Sequence, residues 1–147
     1  MDPTEIRTFN RYYAILLGVF EGKLFASPYS ITELRVIGEI GRHQGVKAHT
    51  IAKFLQMDRS YLSRIIKKFE KHDLLVRKPD AADQRVWQLE LTEKGNALYQ
   101  EIEIKSDQKI LTLLANLQPD EIAELHAAMK TIQTILTKVV PNEMEDL

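Results

Sequence analysis

The chain has 147 residues, 44% of them hydrophobic and 28% charged, with a net charge of −1, which suits one folded domain with its own core. No apolar run nears the ~20 residues of a membrane helix and no charged-then-apolar leader opens the chain. The absence of cysteine excludes disulfides, thiolate nucleophiles and thiol redox switches, so a cytoplasmic protein is expected.

Asp2-Pro3 is a helix start, an N-cap followed by proline at the first helical position. Ile6, Phe9, Tyr13, Leu16, Leu17 and Phe20 then recur at helical spacing, which predicts a helix over about 4–25. Pro28 lies in the break after it. Ser30 caps a second helix through Ile31, Leu34, Ile37 and Ile40, with Glu33 at the capping-box position. Gly41 and Gly45 bracket its end. Val46 to Leu55 reads as short and helical, with Ile51, Ala52 and Leu55 inward. Gln56-Met57-Asp58 is a turn, and Asp58 caps the next helix, Arg59 to His72. That helix has an apolar stripe of Leu62, Ile65, Ile66 and Phe69. Its other face carries Arg59, Ser60, Tyr61, Ser63, Arg64, Lys67 and Lys68.

Leu75 to Lys78 reads as a strand, and Pro79-Asp80-Ala81-Ala82-Asp83 has turn chemistry. Trp87, Leu89 and Leu91 alternate with Val86, Gln88 and Glu90, which predicts a half-buried strand with Trp87 in the core. Thr92 caps a long helix to about Leu117. Gln118-Pro119 breaks it, and a last helix runs from about Asp120 to Val139. Pro141 stops that helix ahead of an acidic, mobile tail. The expected fold class is mainly α with a small β-hairpin wing. Residues 30–92 form the winged helix-turn-helix lobe, 4–25 and 93–139 are dimerisation helices, and 140–147 are the tail.

Charge is not spread evenly. Arg59 to Arg85 holds eight Lys/Arg against four Asp/Glu, a net of +4, in a chain whose total is −1. A near-neutral protein has gathered positive charge on one module, as a phosphate-binding surface requires.

Three stretches carry a family resemblance. Met57 to Glu70 is similar to the recognition stretch of the MarR family of bacterial transcription regulators. Asp73 to Arg85 resembles its "GLVxRxxxxxDxR" wing. Leu91-Thr92-Glu93-Lys94-Gly95 matches the "LTxxG" that opens the next helix. The resemblance covers nearly the whole chain. The glycine common after the recognition helix is Asp73 here, so that turn is expected to use another conformation. The front of the chain resembles a subgroup in which the regulator is fused to an N-acetyltransferase domain. On that view the chain is either free-standing or cut from such a fusion.

The resemblance implies a homodimer held by the first and the last two helices. Ile6, Phe9, Leu113, Leu114, Leu117, Ile132, Ile135 and Leu136 offer more apolar surface than a small winged domain can bury. The expected partner is a nearly palindromic double-stranded DNA operator, read by two recognition helices in successive major grooves. Ser60, Tyr61, Ser63 and Arg64 are candidates for base edges, with Arg59 beside them, and Lys67 and Lys68 for phosphates. Lys47, His49 and Thr50 are placed to hold the backbone at a helix start. Arg85 is the minor-groove candidate, oriented by Asp83. Many relatives release DNA when a small aromatic or anionic ligand binds between the dimer helices and the DNA lobe. Tyr12, Tyr13, Leu16, Leu17, Arg35 and His43 are the candidates for that site.

Other chemistries find little footing. The four histidines (43, 49, 72 and 126) show no ligand spacing, so no metal is expected, and none of the motifs calls for a cofactor. Gly18 and Gly22 interrupt a helix and form no phosphate loop. There is no nucleophile elbow and no paired acid and base, so an enzyme is not expected. The rival reading is a winged-helix protein-interaction module without specific DNA binding, whose apolar docking would lack the steep salt dependence of phosphate contacts.

Overall fold

A computed structural model describes residues 2–21 and 27–142. The elements in chain order are α1 (Pro3–Glu21), α2 (Ile31–Arg42), β1 (Val46–Lys47), α3 (Ala48–Phe54), α4 (Arg59–Lys71), β2 (Leu75–Pro79), β3 (Trp87–Leu91), α5 (Glu93–Leu114) and α6 (Pro119–Leu136). The fold is mainly helical, with one antiparallel sheet in the order β1-β3-β2. Residues 22–25 of the expected first helix, the side chain of Phe20, and 143–147 of the expected tail lie outside the described residues.

The expected caps form. Ser30 Oγ accepts from the Glu33 N–H at 3.1 Å and starts α2. Glu33's carboxylate does not return to the cap. It lies 2.8 Å from Lys68 Nζ on α4. Asp58 accepts from the N–H groups of Ser60 and Tyr61 at 2.7 and 3.2 Å and starts α4. These bonds satisfy donors that a helix start otherwise leaves open. The stripe of Leu62, Ile65, Ile66 and Phe69 is buried against Ile37, Ile40, Ile51, Leu74 and Leu89. One amphipathic helix is thereby pinned to the core with its polar face outward.

Three expectations need correction. Residues 46–47 are not helical: Val46 pairs with Leu89 and Lys47 with Gln88. Gly45, at φ +86°, turns the chain so that its N–H donates to the Leu89 carbonyl, and two residues are too few to show an alternating period. Gly41 and Gly45 do bracket the end of α2 at Arg42, and Gly41 is also a tight spot, where a Cβ would lie 2.4 Å from the Tyr99 ring. It is a close-packing site between α2 and α5. Trp87 is not core, with 42% of its surface exposed. It pairs with Pro79 at the far end of the hairpin, past the buried Leu89 and Leu91. The period assigns the face correctly, but the core stops short of it. Asp73 does not force a different turn. It takes the left-handed conformation itself, at φ +58°, which aspartate tolerates better than most side chains.

The junction after α4 explains the Leu91–Gly95 motif. The Thr92 hydroxyl donates to the Asp73 carbonyl at 2.6 Å, and the Thr92 N–H donates to the Leu74 carbonyl at 3.0 Å. Thr92 Oγ1 also accepts from the Gly95 N–H at 3.0 Å, capping α5. A Cβ on Gly95 would lie 2.0 Å from the Leu74 oxygen. Because that neighbour is backbone, it cannot swing aside.

The two ends of the chain behave differently from this lobe. No residue of α6 is buried. Ile6, Phe9, Tyr12 and Ile15 of α1, Leu111 and Leu113 of α5, and Ile122, Leu125, Met129, Ile132, Ile135 and Leu136 of α6 are all exposed in the single chain.

Gly95→Ala should destabilise the fold by about 1–3 kcal/mol or more, the cost of overpacking a site that cannot relax. Urea unfolding of the variant against wild type measures this. An unchanged midpoint would show that the α5 start can move off Leu74.

Candidate nucleic-acid interface

Arg59, Ser60, Tyr61, Ser63, Arg64 and Lys67 are all exposed on α4, opposite the buried stripe. The Arg64 guanidinium carbon sits 5.7 Å from the Tyr61 ring centroid, one turn back. That contact restrains a long side chain that would otherwise lose more entropy on binding. Lys68 is placed differently. It is half-buried, paired with Glu33 and 5.3 Å above the Tyr29 ring, so its charge is committed to the α2 side. Lys47 Nζ lies 3.6 Å from Asp80 Oδ2. His49 is exposed and Thr50 half-buried on the first turn of α3.

The wing is organised by two aspartates. Asp83 Oδ1 accepts from Arg85 Nε at 3.1 Å, and Oδ2 accepts from Nη2 at 3.3 Å. The Arg85 backbone N–H also donates to Asp83 Oδ1 at 3.1 Å. The Arg85 side chain, then its backbone, holds the Asp83 carboxyl below its usual range. Arg85 is 91% exposed, yet its direction is set by this fork. Surface pairs of this kind add little stability, so what the fork contributes is orientation.

Asp80, expected only as one residue of the 79–83 turn, is the one buried charged residue among the described residues. Its carboxylate accepts from the Ala82 and Asp83 N–H groups at 2.8 and 3.2 Å and from Gln88 Nε2 at 2.9 Å. Three hydrogen bonds to the charged form, led by Gln88, pull its pKa down to about 2. The signal was present as an aspartate two residues before the N–H it caps, an Asx turn. Its cross-strand partner could not be read without the hairpin register.

Between α3, α4 and the wing lies a groove of 270 Å³. Arg59 from α4, Arg77 from β2 and Arg85 from the wing all line it, with His49, Ser63 and Trp87. Arg77 is another residue to which sequence reasoning gave no role. Three arginines from three elements thus line one concave face, Arg77 paired with Glu70 and Arg85 with Asp83, which leaves a polar, basic-rimmed groove.

A second cavity, of 620 Å³, lies among α1, α5 and α6. Of the residues expected to bind a ligand, Tyr12, Tyr13 and Leu16 line it, together with Phe9, Leu113, Leu117, Met129 and Ile132. Leu17, Arg35 and His43 are not among its lining residues. His43 instead ends α2, with Nε2 4.0 Å from Glu39. The expectation set the cavity between helices and DNA lobe, whereas this one is enclosed by the three terminal helices.

Residues 29–87 match the MarR family. No curated protein sequence matches the chain. Its fold is that of FabT of Streptococcus pneumoniae in complex with DNA, at 20% identity and a TM-score of 0.74, covering 94% of this chain and 99% of that one. A MarR transcriptional regulator from Methanosarcina mazei Go1 superposes with a TM-score of 0.75 at 18% identity, over 92% of this chain and 99% of that one. The S. aureus MepR-DNA complex gives 0.66 at 23% identity, over 88% and 96%.

The Asp80 network makes the wing acid-sensitive. Its carboxyl ionises more readily in the folded wing than in the unfolded chain, about 2 against 3.8. Its contribution is therefore complete above 3.8 and is lost as pH falls toward 2. Asp83 is lowered in the same direction. Amide exchange or NMR across this window should show the 80–88 turn loosening, and Asp80→Asn should leave it loosened already at neutral pH. Equal protection of the turn in wild type and Asp80→Asn at pH 7 would refute this role for Asp80.

Proposed function

We propose, from the match of residues 29–87 to the MarR family, that the chain is a homodimeric, sequence-specific DNA-binding transcriptional regulator. One observation carries the reading. The exposed basic face of α4 and the oriented Arg85 flank a single groove, so one approach of duplex DNA engages both. A helix about 10–12 Å across fits the major groove. Arg85 then reaches the neighbouring minor groove, whose negative potential favours a guanidinium.

On this reading Arg64, Ser60, Tyr61 and Ser63 meet base edges, and Lys67 and Arg59 meet phosphates. Arg64 carries most of the sequence information, because its fork can bond guanine bidentately. Lys47 and Lys68, held by Asp80 and Glu33, are weaker contributors than their charge alone suggests. His49 and Thr50 face the backbone at the start of α3.

The dimer reading is supported by the exposed apolar surface of α1, α5 and α6. A helix with no buried side chain gains little by folding alone, and a second copy is the occupant that covers it. Two-fold symmetry then sets recognition helices about 34 Å apart and calls for a nearly palindromic operator. We assign repression, the commoner outcome in the family, and a cytoplasmic site of action. Among the described residues no helix is long and apolar enough to cross a membrane.

Ligand-controlled release is the secondary part of the proposal. In the single chain the 620 Å³ cavity offers Tyr12 and Tyr13 beside aliphatic side chains; Met129 and Ile132 belong to the surface assigned to the dimer, so a small aromatic molecule would share this space with the partner copy. No Lys, Arg or His is among its lining residues, so an anionic ligand has less to hold it. Release requires the ligand to favour a dimer whose recognition helices are wrongly spaced.

Fluorescence anisotropy on duplexes selected from a random library tests the core of this. Affinity should fall steeply with salt, with a log–log slope near −0.9 per phosphate contact. Arg64→Ala should cost roughly tenfold or more and relax the sequence preference, whereas Lys67→Ala should weaken all sequences alike and flatten the slope by about one. Binding that is salt-insensitive, or equal for selected and scrambled duplexes, would favour a protein-docking module instead.

Sedimentation measures assembly separately. The chain should run as a dimer at micromolar concentration, and Ile132→Glu with Met129→Glu should give monomers. A monomeric wild type would remove the two-fold operator argument.

A further inference from the structure

The hairpin's base and tip are held by different means. Leu75, Leu89 and Leu91 are buried and fasten the base to the core. Pro79 and Trp87 pair at the far end, beyond that core. Between base and tip, Arg77 on β2, opposite Leu89, forms an ion pair with Glu70 on α4, Nε to carboxylate oxygen 3.0 Å. The Arg77 guanidinium carbon in turn lies 5.3 Å from the centroid of the Trp87 ring on β3, within cation–π range. Arg77 and Trp87 both line the groove beside α4. Arg85 is only two residues from Trp87.

We propose that Glu70, Arg77 and Trp87 form a clamp that fixes the wing tip relative to the recognition helix, making Glu70 a positioning residue for Arg85. The inference rests on the DNA-binding reading above and adds a role for residues that need not touch DNA. Each tie is half-exposed, so neither adds much to global stability. Their effect is on where the wing stands. A tip that wanders must be ordered on binding, and that entropy is taken from affinity. The clamp also accounts for a half-exposed tryptophan at the rim of a basic groove, where a smaller residue would suffice for the strand.

The proposal inverts an electrostatic expectation. Glu70 is an acidic side chain on the recognition helix, and removing a negative charge near DNA ordinarily tightens binding. If Glu70 instead holds Arg77 in place, Glu70→Gln loosens the wing and weakens binding despite the gain in positive charge.

The test compares full-length wild type, Glu70→Gln and Arg77→Met, each with and without Arg85→Ala. Two readouts are used: amide hydrogen exchange over residues 79–87 without DNA, and affinity for a library-selected duplex. Glu70→Gln should raise wing exchange while leaving the thermal midpoint nearly unchanged. It should weaken binding roughly three- to tenfold when Arg85 is present and much less when Arg85 is absent, the non-additivity of coupled residues. Unchanged wing exchange, or unchanged or tighter binding by Glu70→Gln, overturns the clamp. Arg77→Met effects that simply add to those of Arg85→Ala would instead make Arg77 a direct phosphate contact and also overturn it. Should wild type itself bind no duplex selectively, the DNA reading fails, and the exchange measurement alone decides whether the clamp exists.

Discussion

The structure hinges on the contact between the Leu74 carbonyl and the start of α5. Leu74 is buried where α4 has ended and β2 is about to begin, and its oxygen accepts from the Thr92 N–H. Asp73 supplies the left-handed turn that aims this carbonyl, and Gly95 leaves the space it occupies. The basic helix α4, both long wing strands and α5 therefore meet around one peptide group. A side chain at 95 would push them apart together. This is why a short motif of ordinary residues can set the geometry of a far larger surface: the constraint is steric and backbone-based, and no rotamer change relieves it.

Around that junction the charged residues divide into those that face outward and those that hold them. Five acidic groups lie on or beside the basic module, and Asp73 serves there through its backbone turn. The other four have partners. Asp58 caps α4, Asp80 ties the wing turn, Asp83 forks Arg85, and Glu70 pairs with Arg77. Through hydrogen bonds to backbone N–H or guanidinium groups, and for Glu70 an ion pair, their negative charge is locally offset while geometry is gained. The local net charge of +4 thus understates how directed the positive potential is. Arg59, Arg64 and Arg85 are presented outward, while Lys47 and Lys68 are drawn in.

Much of this was legible in the residues because it depends on local physics. The α4 stripe, the Ser30 and Asp58 caps and the Asp83–Arg85 fork each link groups whose nearest partners lie within four residues along the chain. What escaped depends on register or on where the core ends. Val46 and Lys47 gave no period to read. Trp87 had the right alternation but lay beyond the last buried pair. Lys68 looked like any other cation on a polar face, and only the fold of α2 against α4 brings Glu33 and Tyr29 under it. Asp80 and Arg77 gained their meaning from Gln88 and Glu70, eight and seven residues away. Asp73 shows the opposite lesson. A departure from a familiar glycine changed the residue and left the conformation in place, since aspartate is among the side chains that occupy the left-handed region.

The same architecture constrains how the two ends of α5 can communicate. Its first turn is locked to the wing and recognition helix through Thr92 and Gly95. Two turns on, Ile102 is buried in the lobe core, and Glu103 meets Arg42 of α2 at 2.8 Å. Beyond Glu103 the helix leaves the lobe, and Ile104, Ile110, Leu111 and Leu113 stand exposed. A helix of 22 residues is about 33 Å long at 1.5 Å per residue. Being clamped along its first half, it cannot bend freely within the lobe. On the dimer reading proposed above, a change in how the outer half packs can rotate the lobe as a body, and a rotation of a few degrees over that length displaces the wing and α4 by an ångström or more. Two such lobes would then lose their spacing on DNA without deforming internally. The rigid junction at Leu74 is what would turn repacking among apolar helices into a change in binding.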